Sequence, residues 1–186
     1  MLLKMLGQQV QLLPFTDSNN MPATYERIQS TTLGSVATSI TFSSIPATYT
    51  DLRLVIVPIA NGASDYNLFV ECNGVTTGYS RTRIYGNGTT ATSSRATGET
   101  KWNLIAATGF KSTPSLWTLD IFSYAGSTFK TALSTGSVDY NGTGNVTRQV
   151  NLWQNTAAIT SLVISGDIAS NFNTGTTATL YGIKAA

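Results

Sequence analysis

The sequence predicts an all-β chain: an antiparallel β-sandwich, jelly-roll-like, preceded by a short N-terminal arm. Three observations predict it. Apolar segments of strand length recur along residues 21–186. Between them stand turn signals, above all the Asn-Gly pairs at 61–62, 73–74, 87–88 and 141–142. Both residues of such a pair tolerate positive φ, which a tight type I′ turn demands. Beyond the first twenty residues no window is long enough and helix-periodic enough to promise a helix.

The elements follow in order. Residues 1–20 form the arm. Leu2, Leu3, Leu6, Val10 and Leu13 stand at helix-like spacing, and Pro14 with the polar run DSNN closes the segment. A short amphipathic helix and an extended arm are both compatible with this pattern. An apolar end of this kind is expected to dock, on its own domain or on a neighbour. The domain proper spans 21–186. TYERI opens it, and SVATSITF (35–42) puts Val36, Ile40 and Phe42 on one parity. DLRLVIVPI (51–59) is nearly continuous in apolar residues and reads as a strand covered on both faces. YNLFVEC (66–72) follows. SLWTLDIFSY (115–124) places Trp117, Leu119 and Ile121 together. VTRQVNLW (146–153), SLVIS (161–165) and ATLYGIK (178–184) complete the set. GNGTTATSSRATGET (86–100) has almost no large apolar residue and reads as a long exposed loop.

Composition narrows the chemistry. Of 186 residues only 11% are charged, against roughly 25% in an average soluble domain. The net charge of +2 supplies no field for nucleic acid or an anionic membrane. Histidine is absent, which removes the commonest general base and metal ligand. One cysteine, Cys72, permits no intrachain disulfide. The apolar start is too short and too interrupted for a membrane span or a signal peptide.

Nothing announces catalysis. The carboxylates Asp17, Glu26, Asp51, Asp65, Glu71, Glu99, Asp120, Asp139 and Asp167 are scattered. A glycosidase needs two of them facing each other across a sugar. DSNN and NGASD are too sparse for a calcium loop. No phosphate-binding loop, dinucleotide fingerprint or nucleophile elbow is present. No catalytic residue, metal site or cofactor is expected. Of Trp102, Trp117 and Trp153, two lie in apolar strands and read as core.

The stretch YSRTRIYGNG (79–88) stands out. On a strand, Tyr79, Arg81, Arg83 and Tyr85 point one way, and Ser80, Thr82 and Ile84 the other. Arginine interleaved with tyrosine suits a protein contact first and a carbohydrate second. The plainer alternative is a solvated or inter-sheet strand face with ordinary cross-strand pairing.

Several phrases together resemble a family. ATYERIQSTTLGSVATSITFSSIPATYTDLRLV, the later YSRTRIYGNG, and the ending TSLVISGDIASNFNTGTTATLYGIKAA are similar to a group of small tailed-phage virion proteins, cyanophage proteins among them. Members of this group look like surface components of the particle, either head decoration (cement) proteins or parts of tail fibres. The resemblance covers most of 22–186. Relatives begin near Met21, so the arm stands outside it and reads as an added anchor. The resemblance brings no catalytic motif.

The expectation is a capsid decoration protein on the outer surface of the head, bound to the major capsid protein and bridging its subunits. A homo-oligomer, a trimer, is the expected state, with no nucleic acid and no membrane as partner. Leu2, Leu3, Leu6, Val10 and Leu13 are the expected anchor; Tyr79, Arg81, Arg83 and Tyr85 are the expected strand-face contact. The alternative is a module at the tail tip or on a fibre that recognises host surface glycan through loop 86–100 and the Arg-Tyr face.

Overall fold

The computed structural model describes residues 24–62, 65–105, 109–167 and 172–184. The arm, with Leu2, Leu3, Leu6, Val10 and Leu13, lies outside the described residues.

Twelve strands make up the described chain. They are β1 (Tyr25–Thr32), β2 (Ser39–Phe42), β3 (Asp51–Val57), β4 (Phe69–Cys72), β5 (Tyr79–Gly86) and β6 (Ala91–Glu99). Then come β7 (Trp102–Asn103), β8 (Leu116–Phe122), β9 (Lys130–Asp139), β10 (Gly144–Trp153), β11 (Leu162–Ser165) and β12 (Thr177–Ile183). Every named strand pair is antiparallel. The strands form an eight-stranded sheet, β1-β12-β3-β8-β9-β10-β5-β6, and a four-stranded sheet, β2-β11-β4-β7. The expected antiparallel sandwich is what the chain forms.

The connectivity explains the unequal sheets. β1, β3, β8 and β12 belong to the large sheet, while β2, β4, β7 and β11 form the small one. The chain thus crosses repeatedly between two four-stranded halves, a course compatible with a jelly roll. The remaining strands, β5–β6 and β9–β10, are two hairpins inserted into that course. Both add to the large sheet beside β8, giving β9-β10-β5-β6 as an extension.

Burial follows period-two alternation where the two halves face each other. Leu52, Leu54 and Ile56 of β3, Trp117, Leu119 and Ile121 of β8, and Ala178 and Leu180 of β12 are buried. From the small sheet they meet Ile40, Phe42, Val70, Cys72, Leu162 and Ile164. Trp102, Trp117 and Trp153 are all core. The reading of 51–59 as covered on both faces is corrected: Val55 and Val57 are only half-buried. The small sheet lies on one side of β3, and nothing described covers the other.

In the extension the inner face turns polar. β10 points Asn145, Thr147, Gln149, Asn151 and Trp153 inward. Asn151 Nδ2 donates to Ser134 Oγ (3.2 Å), and Gln149 Nε2 donates to Asn103 O (2.7 Å) and Asn151 Oδ1 (2.8 Å). At the start of β9 the buried Lys130 ammonium donates to three backbone carbonyls, those of Gly126, Thr128 (2.6 Å) and Thr156 (3.4 Å). That matches its three N–H bonds, while burial pushes its pKa down.

The turns match their chemistry unevenly. Asn73 and Gly74 have φ of 54° and 70°, and Asn141 and Gly142 have 56° and 118°, as a type I′ turn requires. At 87–88 only Gly88 is positive, at 85°. Asn87 instead occupies the position before the turn, where its Oδ1 accepts the N–H groups of Thr89 (3.0 Å) and Thr90 (2.8 Å).

Candidate contact surface

β5 carries YSRTRIYG and is paired on both sides, to β10 and to β6. Tyr79, Arg81, Arg83 and Tyr85 do share one face. It is the inner one, which corrects their expected role as an exposed contact. Register explains it: these four pair with Trp153, Asn151, Gln149 and Thr147, all inward-pointing.

Each of the four has a structural task. Tyr79 is 1% exposed. Its ring stacks on Trp153 (centroids 5.8 Å, interplanar angle 16°) and meets Trp102 edge-on. Its hydroxyl accepts the Cys72 N–H (2.9 Å) and donates to the Val75 carbonyl (2.9 Å). Arg81 forms an ion pair with Glu99 across the β5–β6 pair. Arg83 donates to the Ile105 carbonyl (2.6 Å) and Ser94 Oγ (3.0 Å), and its guanidinium lies 5.6 Å from the Tyr85 ring centre. Burial lowers the Arg83 pKa, and neighbouring Arg81 adds to the effect. These side chains fasten the extension to the rim of the small sheet.

The segment 86–100 is not a loop. Residues 91–99 form β6, and all except Ala96 and Glu99 are exposed. Ala, Thr, Ser and Gly carry no inward-outward contrast, so periodicity had nothing to register.

The solvent-facing side of the extension is where apolar residues collect. Ile84 is 61% exposed, Val146 58% and Val150 49%. Ile84 pairs with Arg148, and Val150 with Thr82, so the three side chains lie on adjacent strands of one face. A groove of about 540 Å³ at the hairpin end is lined by Ile84, Val146, Arg148, Ala91 and Ser93. A second, of about 230 Å³, holds Val150, Leu152, Thr82 and Arg95. Leu116 and Phe122 at the ends of β8 continue the apolar character along the same side.

The described carboxylates all have partners within the chain. Asp120 binds Arg53 through both oxygens (2.6 and 2.9 Å). Glu26 pairs with Lys184 (2.5 Å), Glu71 with Lys101 (3.4 Å), Asp65 with Lys111 (3.3 Å) and Glu99 with Arg81. Asp51 accepts the Ser123 N–H, Asp139 the Asn141 N–H, and Asp167 the Asn67 N–H. Among the described residues no three His, Cys, Asp or Glu side chains cluster as a metal site. Among them too, no helix is long and apolar enough to cross a membrane. Cys72 is buried, and burial drives its thiol pKa upward.

Comparison with protein-family models, with curated proteins and with solved structures finds no match to this chain.

Proposed function

We propose that this chain is a structural protein of a tailed-phage particle, a decoration (cement) protein that binds the outer surface of the head and bridges capsid subunits. The fold would then be a jelly roll, β1-β12-β3-β8 against β2-β11-β4-β7, carrying two inserted hairpins as its contact platform. The resemblance of most of 22–186 to virion surface proteins supports this reading. The observation that carries it is the outer face of the extension. Ile84, Val146 and Val150 are about half exposed or more on neighbouring strands, where a sheet face bathed in water carries polar residues. Such a face suits a protein neighbour, here the major capsid protein. The arm residues Leu2, Leu3, Leu6, Val10 and Leu13 add a second point of attachment, and two weak attachments on one chain hold far better than either alone.

The carboxylates favour a non-enzymatic role, since each described one is already paired or capping backbone. The tail-tip glycan reading has less support. The two features it rested on are a strand and an inward face.

A reconstruction of the intact particle tests the proposal. The protein is expected over the head, with the extension or the arm against capsid subunits. Density only at the tail would overturn the head reading. Particles supplied with a chain lacking residues 1–20 are expected to lose most of it, and full occupancy would dismiss the anchor.

A further inference from the structure

The two ends of the large sheet are treated differently. At one end β1 carries Glu26 and Arg27, a register shift between Arg27 and Gln29, and the Glu26–Lys184 ion pair. Charges and bulges are how proteins keep a sheet edge from pairing with another chain. At the other end β6 runs nine residues, ATSSRATGE, with no proline and a single basic side chain; its bulge, at Gly98 (φ 67°), lies past the regular stretch 91–97. Its only acid, Glu99, is tied to Arg81.

The phase of the β5–β6 ladder says which backbone groups are left over. Asn87 N donates to Thr90 O (3.2 Å), which makes 87 and 90 a hydrogen-bonded pair. Antiparallel ladders alternate. Thr92, Ser94 and Ala96 therefore direct their N–H and C=O groups at β5. Those of Ala91, Ser93, Arg95 and Thr97 point away from the sheet, and no described residue meets them.

We propose that β6 is a homotypic interface: two copies of this chain pair their β6 strands antiparallel about a two-fold axis. The strand is self-complementary for this. With Ser93 of each copy opposite Arg95 of the other, Ala91 falls opposite Thr97, and all four carry the outward-facing backbone groups. Arg95 then meets a hydroxyl rather than another arginine, so the single charge of the edge does not oppose pairing. Apart from Arg95 and Glu99 the side chains on both faces of β6 are small, which lets the strands approach. The join also places the Ile84 faces of two copies on one continuous sheet, doubling the apolar platform. This pairing is isologous and closes at two copies, so a two-fold dimer replaces the expected trimer. It does not depend on the capsid reading, since it concerns the free protein.

The test uses the full 186-residue chain in sedimentation equilibrium at micromolar concentration. Wild type is expected at twice the chain mass of 19.8 kDa. Ser93→Pro deletes an outward N–H, is of the kind edge strands tolerate, and is expected to give monomer with an unchanged circular dichroism spectrum. Ser93→Lys sets lysine against Arg95 of the other copy and is expected to weaken dimerisation at least tenfold. The double change Ser93→Lys with Arg95→Glu turns that repulsion into attraction and is expected to restore it. A monomeric or trimeric wild type overturns the proposal. So does a dimer indifferent to Ser93→Pro, or one that Ser93→Lys weakens and the double change fails to rescue.

Discussion

Gly136 lies directly beneath the indole of Trp117, its register partner across β8 and β9. A Cβ built on Gly136 would come within 1.8 Å of Trp117 Cε3. The glycine is there for space and not for an unusual backbone angle, because its φ is not positive. Gly136→Ala is therefore expected to destabilise by overpacking, by about 1–3 kcal/mol. Urea unfolding measures it, and an unchanged midpoint would mean that the Trp117 ring moves aside freely.

Tyr79 gives a second stability prediction. Tyr79→Phe keeps the stack on Trp153 and removes one hydroxyl from a buried place. The Cys72 N–H and the Val75 carbonyl each lose a partner. The expected cost is about 1–3 kcal/mol, read from the same unfolding experiment. A loss below a few tenths would show that neither group is left unsatisfied.

Alkaline pH should unfold the chain by a definite route. Burial raises the pKa of Cys72, Tyr79 and Tyr124, and pushes Tyr140 up to about 12. The unfolded chain releases these protons first, so it binds fewer protons than the folded chain and stability falls with rising pH. The contribution is complete below the ordinary thiol value of 9.0 and is lost progressively above it. Cys72→Ala is expected to flatten the stability slope between roughly pH 9 and 10, the first part of that loss. Thiol titration of the wild type at pH 8 should likewise label Cys72 no faster than the protein unfolds.

The outer face should separate binding from folding. Ile84→Thr, Val146→Thr and Val150→Thr together keep β-branched side chains on the strands. Each is expected to change stability by no more than about 0.5 kcal/mol. Occupancy on phage heads is expected to drop severalfold. Unchanged occupancy at unchanged stability would remove this face from the contact.

How much of this the sequence disclosed depended on contrast between strand faces. β3 and β8 alternate large apolar residues that end up buried, β12 buries Ala178 and Leu180 in the same rhythm, and all three were legible at once. β6 and β9 are built largely from Ser, Thr, Ala and Gly, and no segment reading marked them as strands. β10 has ample contrast, but inverted: Val146 and Val150 face water while Asn145, Gln149 and Asn151 face inward. The Arg-Tyr stripe of β5 follows the same inversion. Its parity was readable, but its side was not, because an inward arginine needs Glu99 and the Ile105 carbonyl, which only the fold brings near. The Arg53–Asp120 pair was hidden for the same reason, its partners being 67 positions apart.

The carbonyl-lined pocket around Lys130 resembles in outline the loops that other proteins close around a metal ion. Here the cation is an ammonium on the chain's own side chain, so no chelator can strip it and no dilution can empty it. The junction between β8, β9 and the segment after β10 thus carries its counter-charge by covalent attachment. A protein so built keeps this corner locked without drawing on any metal ion in the medium.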